Sequence, residues 1–166
     1  MAKKKSVPKF NLRGQEYWIY ETKVPCYSCK KESRAVAILL PENFEERDQD
    51  SGAWLPREGR LIMHGVEEMS HALEYQLLFI NPFYFLDEDP ISPNKIFLNH
   101  CEFCHSKFEE DYLYGGNSLL FPMEDQEMLD KGLLRHVFAP FDCRASYTWS
   151  EDDWIGTRIA RITVTP

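Results

Sequence analysis

The sequence contains no hydrophobic run long enough to cross a membrane. No apolar stretch in its 166 residues approaches the roughly 18 residues that a membrane helix needs. The three lysines at positions 3–5 are not followed by an apolar segment, so the start of the chain does not match a signal peptide. These absences predict a cytoplasmic protein without a membrane partner, in a compartment where cysteine thiols stay reduced.

Short motifs of common catalytic and nucleotide-binding sites are also missing. The 8 glycines include no phosphate-binding loop. His64 and His71 are seven positions apart, but they belong to no His-Glu-x-x-His pattern. Cys143 and His136 could serve as nucleophile and base, but nothing in the sequence favours that pair. We therefore predict that the protein is not an enzyme and has no catalytic residues.

Positive charge is scarce. The chain has 19 Lys and Arg against 27 Asp and Glu, which gives a formal net charge of -8. The acidic residues are clustered at positions 42–50, 87–89, 109–111, 124–127 and 151–153. Such a surface repels phosphate backbones and speeds encounter with a basic protein. A basic protein partner is therefore expected and nucleic acid is disfavoured, although acidic clusters that only keep the protein soluble are the simpler alternative.

Cysteine is also infrequent, but four of the 5 cysteines form two Cys-x-x-Cys pairs. In each pair the two sulfurs sit on a tight turn, and two such pairs supply four thiolates for a structural Zn²⁺ ion. Redox dithiols and buried cysteines without an ion are the alternatives. We predict that the ligands of a structural zinc ion are Cys26, Cys29, Cys101 and Cys104. Residues 30–100 would then form an inserted subdomain.

Two histidines lie next to the second cysteine pair, and a fifth cysteine lies far from both pairs. His100 and His105 flank the second pair, where either could replace a cysteine or hydrogen-bond a sulfur. The simplest arrangement leaves both outside the ligand set, because four thiolates leave no open position on zinc and give a site that does not activate water. Cys143 has no cysteine close to it in sequence and is expected to be a small buried core residue.

The pattern of hydrophobic residues predicts an α+β fold. Antiparallel, zinc-ribbon-like hairpins are expected at residues 16–20 and 34–40 around the first pair and at 96–100 before the second. The insertion between the two knuckles is expected to be helical, because apolar residues recur at helical spacing over residues 66–80. Glu67 and Glu68 would lie in the first turn of this helix.

The remaining segments are assigned more coarsely. A loop is predicted over 41–59, a short strand over 60–64, an extended buried segment over 83–86, a short helix over 123–131, a strand over 133–138 and partial alternation over 155–164. Residues 1–13 are predicted to be a flexible tail and residues 14–166 a single zinc-stabilised domain. A cross-link between Cys29 and Cys101 would tie both halves of the chain together.

These motifs resemble a family of uncharacterised bacterial zinc-ribbon-like proteins. The family pattern is an aromatic strand, a Cys-x-x-Cys pair and a hydrophobic strand, then a helical insert and an Asn-x-Cys-x-x-Cys turn that leads to an acidic residue and an aromatic-Leu strand. The matching positions here are 17–20, 26–29, 36–40, 99–104 and 110–113. Lys30 and His105 occupy positions where the family often has glycine. The resemblance implies a metal-stabilised fold and no particular reaction.

Together these features predict a non-enzymatic interaction protein. Small acidic bacterial proteins without an active site are often immunity proteins that block a toxin by direct binding, and clustered acid suits the basic groove of a nuclease toxin. The alternative is a zinc-ribbon protein that binds nucleic acid or associates with transcription. The first pair is flanked by basic residues and the second by acidic ones: Lys23, Lys30, Lys31 and Arg34, against Glu102, Glu109, Glu110 and Asp111.

Overall fold

The computed structural model describes residues 9–59, 61–114 and 132–147, together with the backbone of 164–165. In these parts of the chain, most residues lie in antiparallel strands, and two short helices accompany them. The fold is therefore α+β or mainly β. Neither of the described helices combines the length and the apolar character needed to span a membrane.

The strands of the described residues form two sheets. The larger sheet contains β1 (Leu12–Gly14), β2 (Tyr17–Pro25), β3 (Glu32–Leu39), β4 (Asn43–Arg47), β5 (Trp54–Glu58), β6 (Ile62–Met69), β10 (Leu133–Val137), β11 (Phe141–Tyr147) and β12 (Val164–Thr165). Its order is β12-β10-β2-β3-β6-β11-β1-β4-β5. The smaller sheet is β7 (Tyr84–Glu88), β8 (Lys95–His100) and β9 (Lys107–Phe108). The helices are α1 (His71–Ile80) and α2 (Glu110–Tyr114).

The β2–β3 hairpin is the longest strand pairing among the described residues. Its register runs without interruption to Pro25 opposite Glu32, and the first cysteine pair occupies the loop beyond that point. The strands predicted over 16–20 and 34–40 are thereby confirmed, and both extend further toward the cysteines. Because side chains alternate along a strand, this hairpin contributes apolar residues to both faces of the sheet.

A hydrophobic core lies on each face of the larger sheet. On one face, Ile19 and Ile38 pack in a cluster that includes Leu73 and Leu77 of α1. The cluster on the other face contains Tyr20, Val24, Cys26, Ala35, Ala37, Leu39, Ile62, Cys101, Phe108, Leu113 and Leu134. One cysteine from each pair is therefore part of this second core.

The loop predicted over 41–59 is wrong, because the segment forms the β4–β5 hairpin at the edge of the larger sheet. Its polar composition reflects this edge position, where Phe44 is fully buried and the other residues of both strands are exposed or half-buried. Pro56 is tolerated in β5 because an edge strand need not donate every N–H group. The charges pair across the hairpin, with Arg57 Nε 2.8 Å from Glu46 Oε2.

The helix predicted over 66–80 is correct only from His71 onward, since residues up to Met69 belong to β6. The cause of the error is an irregularity in β6. Gly65 has φ 57°, and the register with β11 shifts at this point. The extra residues bring Val66 and Met69, three positions apart, into the same core. A bulged strand thus reproduces the spacing of a helix.

Two consequences follow for the predicted insertion. Glu67 and Glu68 do not lie in a helical turn; they are strand residues that pair with Arg144 at 3.9 Å and Lys9 at 3.0 Å. The described residues between the cysteine pairs hold six strands and one helix, so the predicted helical character of the insertion is wrong.

The remaining predictions have different outcomes. The strands over 60–64, 96–100 and 133–138 are confirmed in β6, β8 and β10. The segment 83–86 is extended as predicted, but Phe85 and Leu86 are exposed. The aromatic-Leu segment after the second pair is α2 and not a strand. The helix over 123–131 and residues 155–163 lie outside the described residues, as do 1–8; the sheet begins at Leu12, within the range predicted as a tail.

Candidate metal centre

The four cysteines of the two pairs meet at one place. Their Sγ atoms all lie within 4.8 Å of one another. The Sγ atoms of Cys26 and Cys104 are 3.7 Å apart, and those of Cys29 and Cys101 are 3.6 Å apart. With zinc–sulfur bonds of about 2.3 Å, the corners of a tetrahedron are about 3.8 Å apart. The two distances of 3.6 and 3.7 Å match the edges of such a tetrahedron, and the four sulfurs are close enough together to bind one metal ion.

The first pair is held by a hairpin loop with two backbone hydrogen bonds. The N–H of Lys30 donates to the carbonyl oxygen of Cys26 at 2.9 Å, and the N–H of Cys26 donates to that of Lys31, also at 2.9 Å. The bonds close a turn around the first cysteine. Both sulfurs of the pair are thereby directed to one side of the loop, where they join the second pair.

The loop between β8 and β9 repeats this arrangement for the second pair. The N–H of His105 donates to the carbonyl oxygen of Cys101, and the N–H of Cys101 donates to that of Ser106, both at 2.9 Å. The two loops are unrelated in sequence outside their cysteines. The common hydrogen bonds therefore identify one local structure that is used twice.

The residue after each pair adopts the left-handed backbone conformation. Lys30 has φ 64° and His105 has φ 60°, and no other non-glycine residue among those described has a positive φ. This conformation costs roughly 1–2 kcal/mol for a residue with a Cβ atom. The turn therefore keeps its geometry without the glycine that the resembled family often has at this position.

Burial differs among the four cysteines. Cys26 and Cys101 are buried, Cys29 is half-buried and Cys104 is exposed. The hydroxyl of Ser106, 3.2 Å from Cys104 Sγ, and the N–H of the same residue lower the pKa of Cys104 to about 6. Since the thiolate is the form that binds metal, this position is prepared for a cation.

The proximity of the four thiols to one another opposes the ionisation of all four at once. A hydrogen bond from the backbone of Lys31 lowers the pKa of Cys29, but burial and the three neighbouring thiols outweigh it and raise this pKa to about 11. Four thiolates at this distance repel one another. A bound cation would offset the repulsion and let all four ionise together.

Two buried polar side chains join the cysteine loops to each other. The side chain of Asn99 donates to the carbonyl oxygen of Val36 and accepts the N–H of the same residue, both at 2.9 Å. This pair of bonds imitates a strand pairing between β8 and β3. The hydroxyl of Ser33 accepts the N–H of Glu102 at 2.9 Å. Ser33 was missed at the sequence level, and Asn99 was noticed only as part of the Asn-x-Cys-x-x-Cys motif.

The structure places both flanking histidines outside the ligand set. His100 is buried, with Nε2 3.0 Å from Asp87 Oδ2 and Nδ1 3.0 Å from the carbonyl oxygen of Leu98. Its two ring nitrogens are thus already engaged. The ring of His105 is exposed and tilted against Phe83, with the centroids 5.9 Å apart.

The residues considered for catalysis are not brought together. Cys143 is fully buried in β11, where burial raises the pKa of its thiol and its Sγ donates to Met63 Sδ at 3.6 Å. His136 is on β10, which is separated from β11 by β2, β3 and β6. His64 lies on β6 and His71 begins α1, so they share no helix face.

A comparison of the chain with models of known protein families, with curated proteins and with solved structures finds no match. The resemblance to bacterial zinc-ribbon-like proteins therefore stays a prediction that rests on the motif residues alone.

Proposed function

We propose that this is a non-enzymatic, cytoplasmic interaction protein whose fold is cross-linked by one structural Zn²⁺ ion. The observation that carries the proposal is the cluster of four Sγ atoms within 4.8 Å of one another, with distances of 3.6 and 3.7 Å for two of the contacts between the pairs. The ligands would be Cys26, Cys29, Cys101 and Cys104, arranged as in the two halves of a zinc ribbon.

The proposed role of the ion is structural and not catalytic. Four thiolates complete the coordination of zinc and leave no position for water or substrate. The ion would connect the β2–β3 loop to the β8–β9 loop, which are far apart in sequence. Because each loop also contributes a cysteine to the hydrophobic core of one sheet face, such a cross-link would stabilise that core.

The proposed partner is a basic protein, and most specifically a toxin domain that this protein neutralises as a bacterial immunity protein. The support is the net charge of -8 and the exposed position of many carboxylates. Among the described residues, Glu58, Glu88, Glu109 and Asp111 are exposed. Opposite charge accelerates the association of two proteins and selects the partner.

A binding experiment in two stages tests the partner. The immobilised protein is exposed to an extract of its native host, and each captured protein is then purified and titrated by calorimetry. We expect a basic protein that binds one-to-one, loses its toxic activity in the complex and binds more weakly as salt is added. Capture of only neutral or acidic proteins, or a complex whose toxin stays active, would contradict the immunity proposal.

Nucleic acid is the second candidate, because aromatic and basic side chains lie together on the cysteine loops. Tyr27 and Phe103 are exposed, and Lys31 Nζ is 4.8 Å from the centre of the Phe103 ring. Exposed rings beside lysines can stack on bases while the ammonium groups contact phosphates. Fluorescence anisotropy with a single-stranded oligonucleotide tests this candidate: binding at low salt that is lost in Lys31→Ala supports it, and no binding at low salt excludes it.

A further inference from the structure

The four cysteines of the metal centre differ in how far solvent reaches them. Cys26 and Cys101 are 1% and 0% exposed, and Cys29 is half-buried. Cys104 is exposed, as are the residues on either side of it in the β8–β9 loop. A small solute in water therefore meets the cluster at Cys104.

The exposed cysteine also has a close contact with a buried cysteine of the other pair. Its Sγ lies 3.7 Å from that of Cys26, and a second contact, at 3.6 Å, joins Cys29 to Cys101. Both of these sulfur contacts connect one cysteine loop to the other. A disulfide bond is about 2.05 Å long, so a movement of about 1 Å by each sulfur brings Cys104 and Cys26 to bonding distance.

Binding to a metal ion keeps each of these sulfurs in the thiolate form. The thiolate is the nucleophilic form of cysteine, and its oxidation by peroxide also depends on its exposure. A metal site with one exposed thiolate, and with the other three buried or half-buried, therefore limits the first oxidation to one position. In this cluster that position is Cys104.

We propose that the cysteine cluster is a peroxide-sensitive switch, in which oxidation of Cys104 leads to a disulfide with Cys26 and to release of the bound ion. The proposal rests on the zinc site of the proposed function and adds a second, oxidised state to it. Each event consumes one peroxide molecule, so the reaction is stoichiometric. In the cytoplasm such a disulfide is transient, which suits a sensor.

The reaction has two steps, and hydrogen peroxide is the oxidant in both. The thiolate of Cys104 attacks one oxygen of the peroxide, the O–O bond breaks and hydroxide leaves, so that this sulfur becomes a sulfenic acid. The thiolate of Cys26 then attacks the same sulfur, forms the S–S bond and displaces a second hydroxide. The two thiolates lose two electrons, and the peroxide is reduced to two hydroxide ions, which become water with two protons from solvent.

The position of the disulfide determines what oxidation does to the fold. Only Cys29 and Cys101 would remain as zinc ligands, and two thiolates fall short of the four that a structural site uses. The Cys26–Cys104 bond would still join the β2–β3 loop to the β8–β9 loop. A disulfide between Cys101 and Cys104 would instead lie within one loop and leave the two sheets without a cross-link. The oxidised chain is therefore expected to lose its metal and to stay folded.

Zinc release under peroxide tests the proposal on the full chain. The zinc-loaded protein is treated with hydrogen peroxide, released zinc is followed with a metal-binding dye, and the disulfide is located by mass spectrometry of the digested protein. We expect one zinc released per peroxide consumed, a chain lighter by two hydrogen atoms and a Cys26–Cys104 linkage. A thiol reductant with added zinc should restore the starting state.

A pair of matched variants tests the order of the two steps. Cys104→His keeps a nitrogen ligand for zinc but removes the exposed sulfur, and we expect zinc release at least about tenfold slower than in the unmodified chain. Cys29→His makes the same substitution at a half-buried ligand and leaves Cys26 and Cys104 in place. It should release zinc at nearly the unmodified rate. Zinc content and thermal unfolding before peroxide verify that each variant is loaded and folded.

Three results would overturn the switch: zinc that stays bound under excess peroxide, a first disulfide between Cys101 and Cys104, or equally fast release from Cys104→His. The disulfide is mapped in the unmodified chain, so this result does not depend on whether a variant folds. Absence of zinc before peroxide is added would refute the metal site of the proposed function itself. Zinc that is present but insensitive to peroxide would refute only the switch.

Discussion

At the scale of single residues, the two cysteine loops require the same backbone conformation at a position where neither has glycine. Lys30 and His105 both adopt a positive φ close to 60°. Each follows the second cysteine of its pair and donates its N–H to the carbonyl oxygen of the first. The geometry of the cysteines, and not the preference of lysine or histidine, determines this conformation.

Replacing either residue with glycine should stabilise the protein. Lys30→Gly removes the steric cost of the left-handed conformation, and after the greater freedom of glycine in the unfolded chain is subtracted we expect a gain of about 0.5–1 kcal/mol. Lys30→Ala shows the effect of losing the side-chain bond from Nζ to the carbonyl oxygen of Tyr27. Denaturant unfolding with excess zinc measures the difference between the two variants. Lys31→Gly is the control and should destabilise, so an equal gain there would contradict the explanation.

The side chain of Asn99 carries a second prediction at this scale. Asn99→Ala leaves the buried N–H of Val36 without its partner and leaves the carbonyl oxygen of Val36 with only the 3.3 Å bond from the Tyr114 hydroxyl. We expect a loss of about 1–3 kcal/mol in the free energy of unfolding. Asn94→Ala is the matched control because Asn94 is exposed and its side chain makes no hydrogen bond within the described residues. Similar losses in both variants would show that Asn99 does not join β8 to β3.

At the scale of elements, an irregularity in β6 connects the larger sheet to α2. The N–H of Gly65, at the positive φ of the irregular segment, donates to Glu110 Oε1 at 2.7 Å. Burial is the largest cause of a raised pKa for Glu110, at about 7; the bond from Gly65 acts in the opposite direction. The first residue of α2 thus contains a carboxyl group that the folded protein prefers to keep protonated.

This preference gives the stability of the protein a defined dependence on pH. Because the folded pKa of Glu110, about 7, lies above the value of 4.5 for a free carboxyl, the folded state binds more protons between these values and loses stability as pH rises through them. Glu110→Gln should therefore be more stable than the unmodified chain above pH 7, by on the order of 2–3 kcal/mol. The advantage should shrink as the pH falls toward 4.5.

Denaturant unfolding of both proteins across this pH range measures the effect, with zinc present throughout. Glu109→Gln is the matched control, since Glu109 is the neighbouring carboxyl and is exposed. A difference between Glu110→Gln and the unmodified chain that does not change with pH would show that Glu110 is already ionised in the folded protein.

At the scale of the whole molecule, the cysteine cluster connects segments that the backbone leaves far apart. It joins the β2–β3 hairpin of the larger sheet to the β8–β9 hairpin of the smaller one. The core around it includes residues from both sheets and from α2. Occupation by a metal ion would therefore affect the stability of both sheets together.

Metal removal provides the prediction at this scale. Protein purified without chelator should contain one zinc ion per chain, and a strong chelator should lower the melting temperature by more than about 10 °C, because the free energy of binding is part of the free energy of folding. Cys26→Ser should lose zinc and most of this stability. Cys143→Ala should retain one zinc, since its thiol lies in the other core. A stable protein that contains no metal would refute the structural role of the cluster.

Much of the fold could be predicted from local pattern. The hairpin strands around Cys26 and Cys29 were predicted because continuous apolar runs next to a tight turn have few other solutions. The β4–β5 hairpin was missed because an edge strand needs only one apolar side chain, Phe44, toward the core. The start of α1 was misplaced because the bulge at Gly65 gives a strand the apolar spacing of a helix.

For the candidate site, the local sequence specifies which residues are available and how each pair is arranged. Two cysteines with two residues between them must lie on one tight turn, whatever the rest of the chain does. The packing of distant segments brings the two pairs together, leaves His100 and His105 outside the cluster and places Asn99 between β8 and β3. These outcomes depend on contacts between residues distant in sequence, which no local spacing specifies. The exposure of Leu78 and Phe79 on α1 has the same origin, because they are as apolar as the buried Leu73 and Leu77 and only packing distinguishes the two sides of the helix.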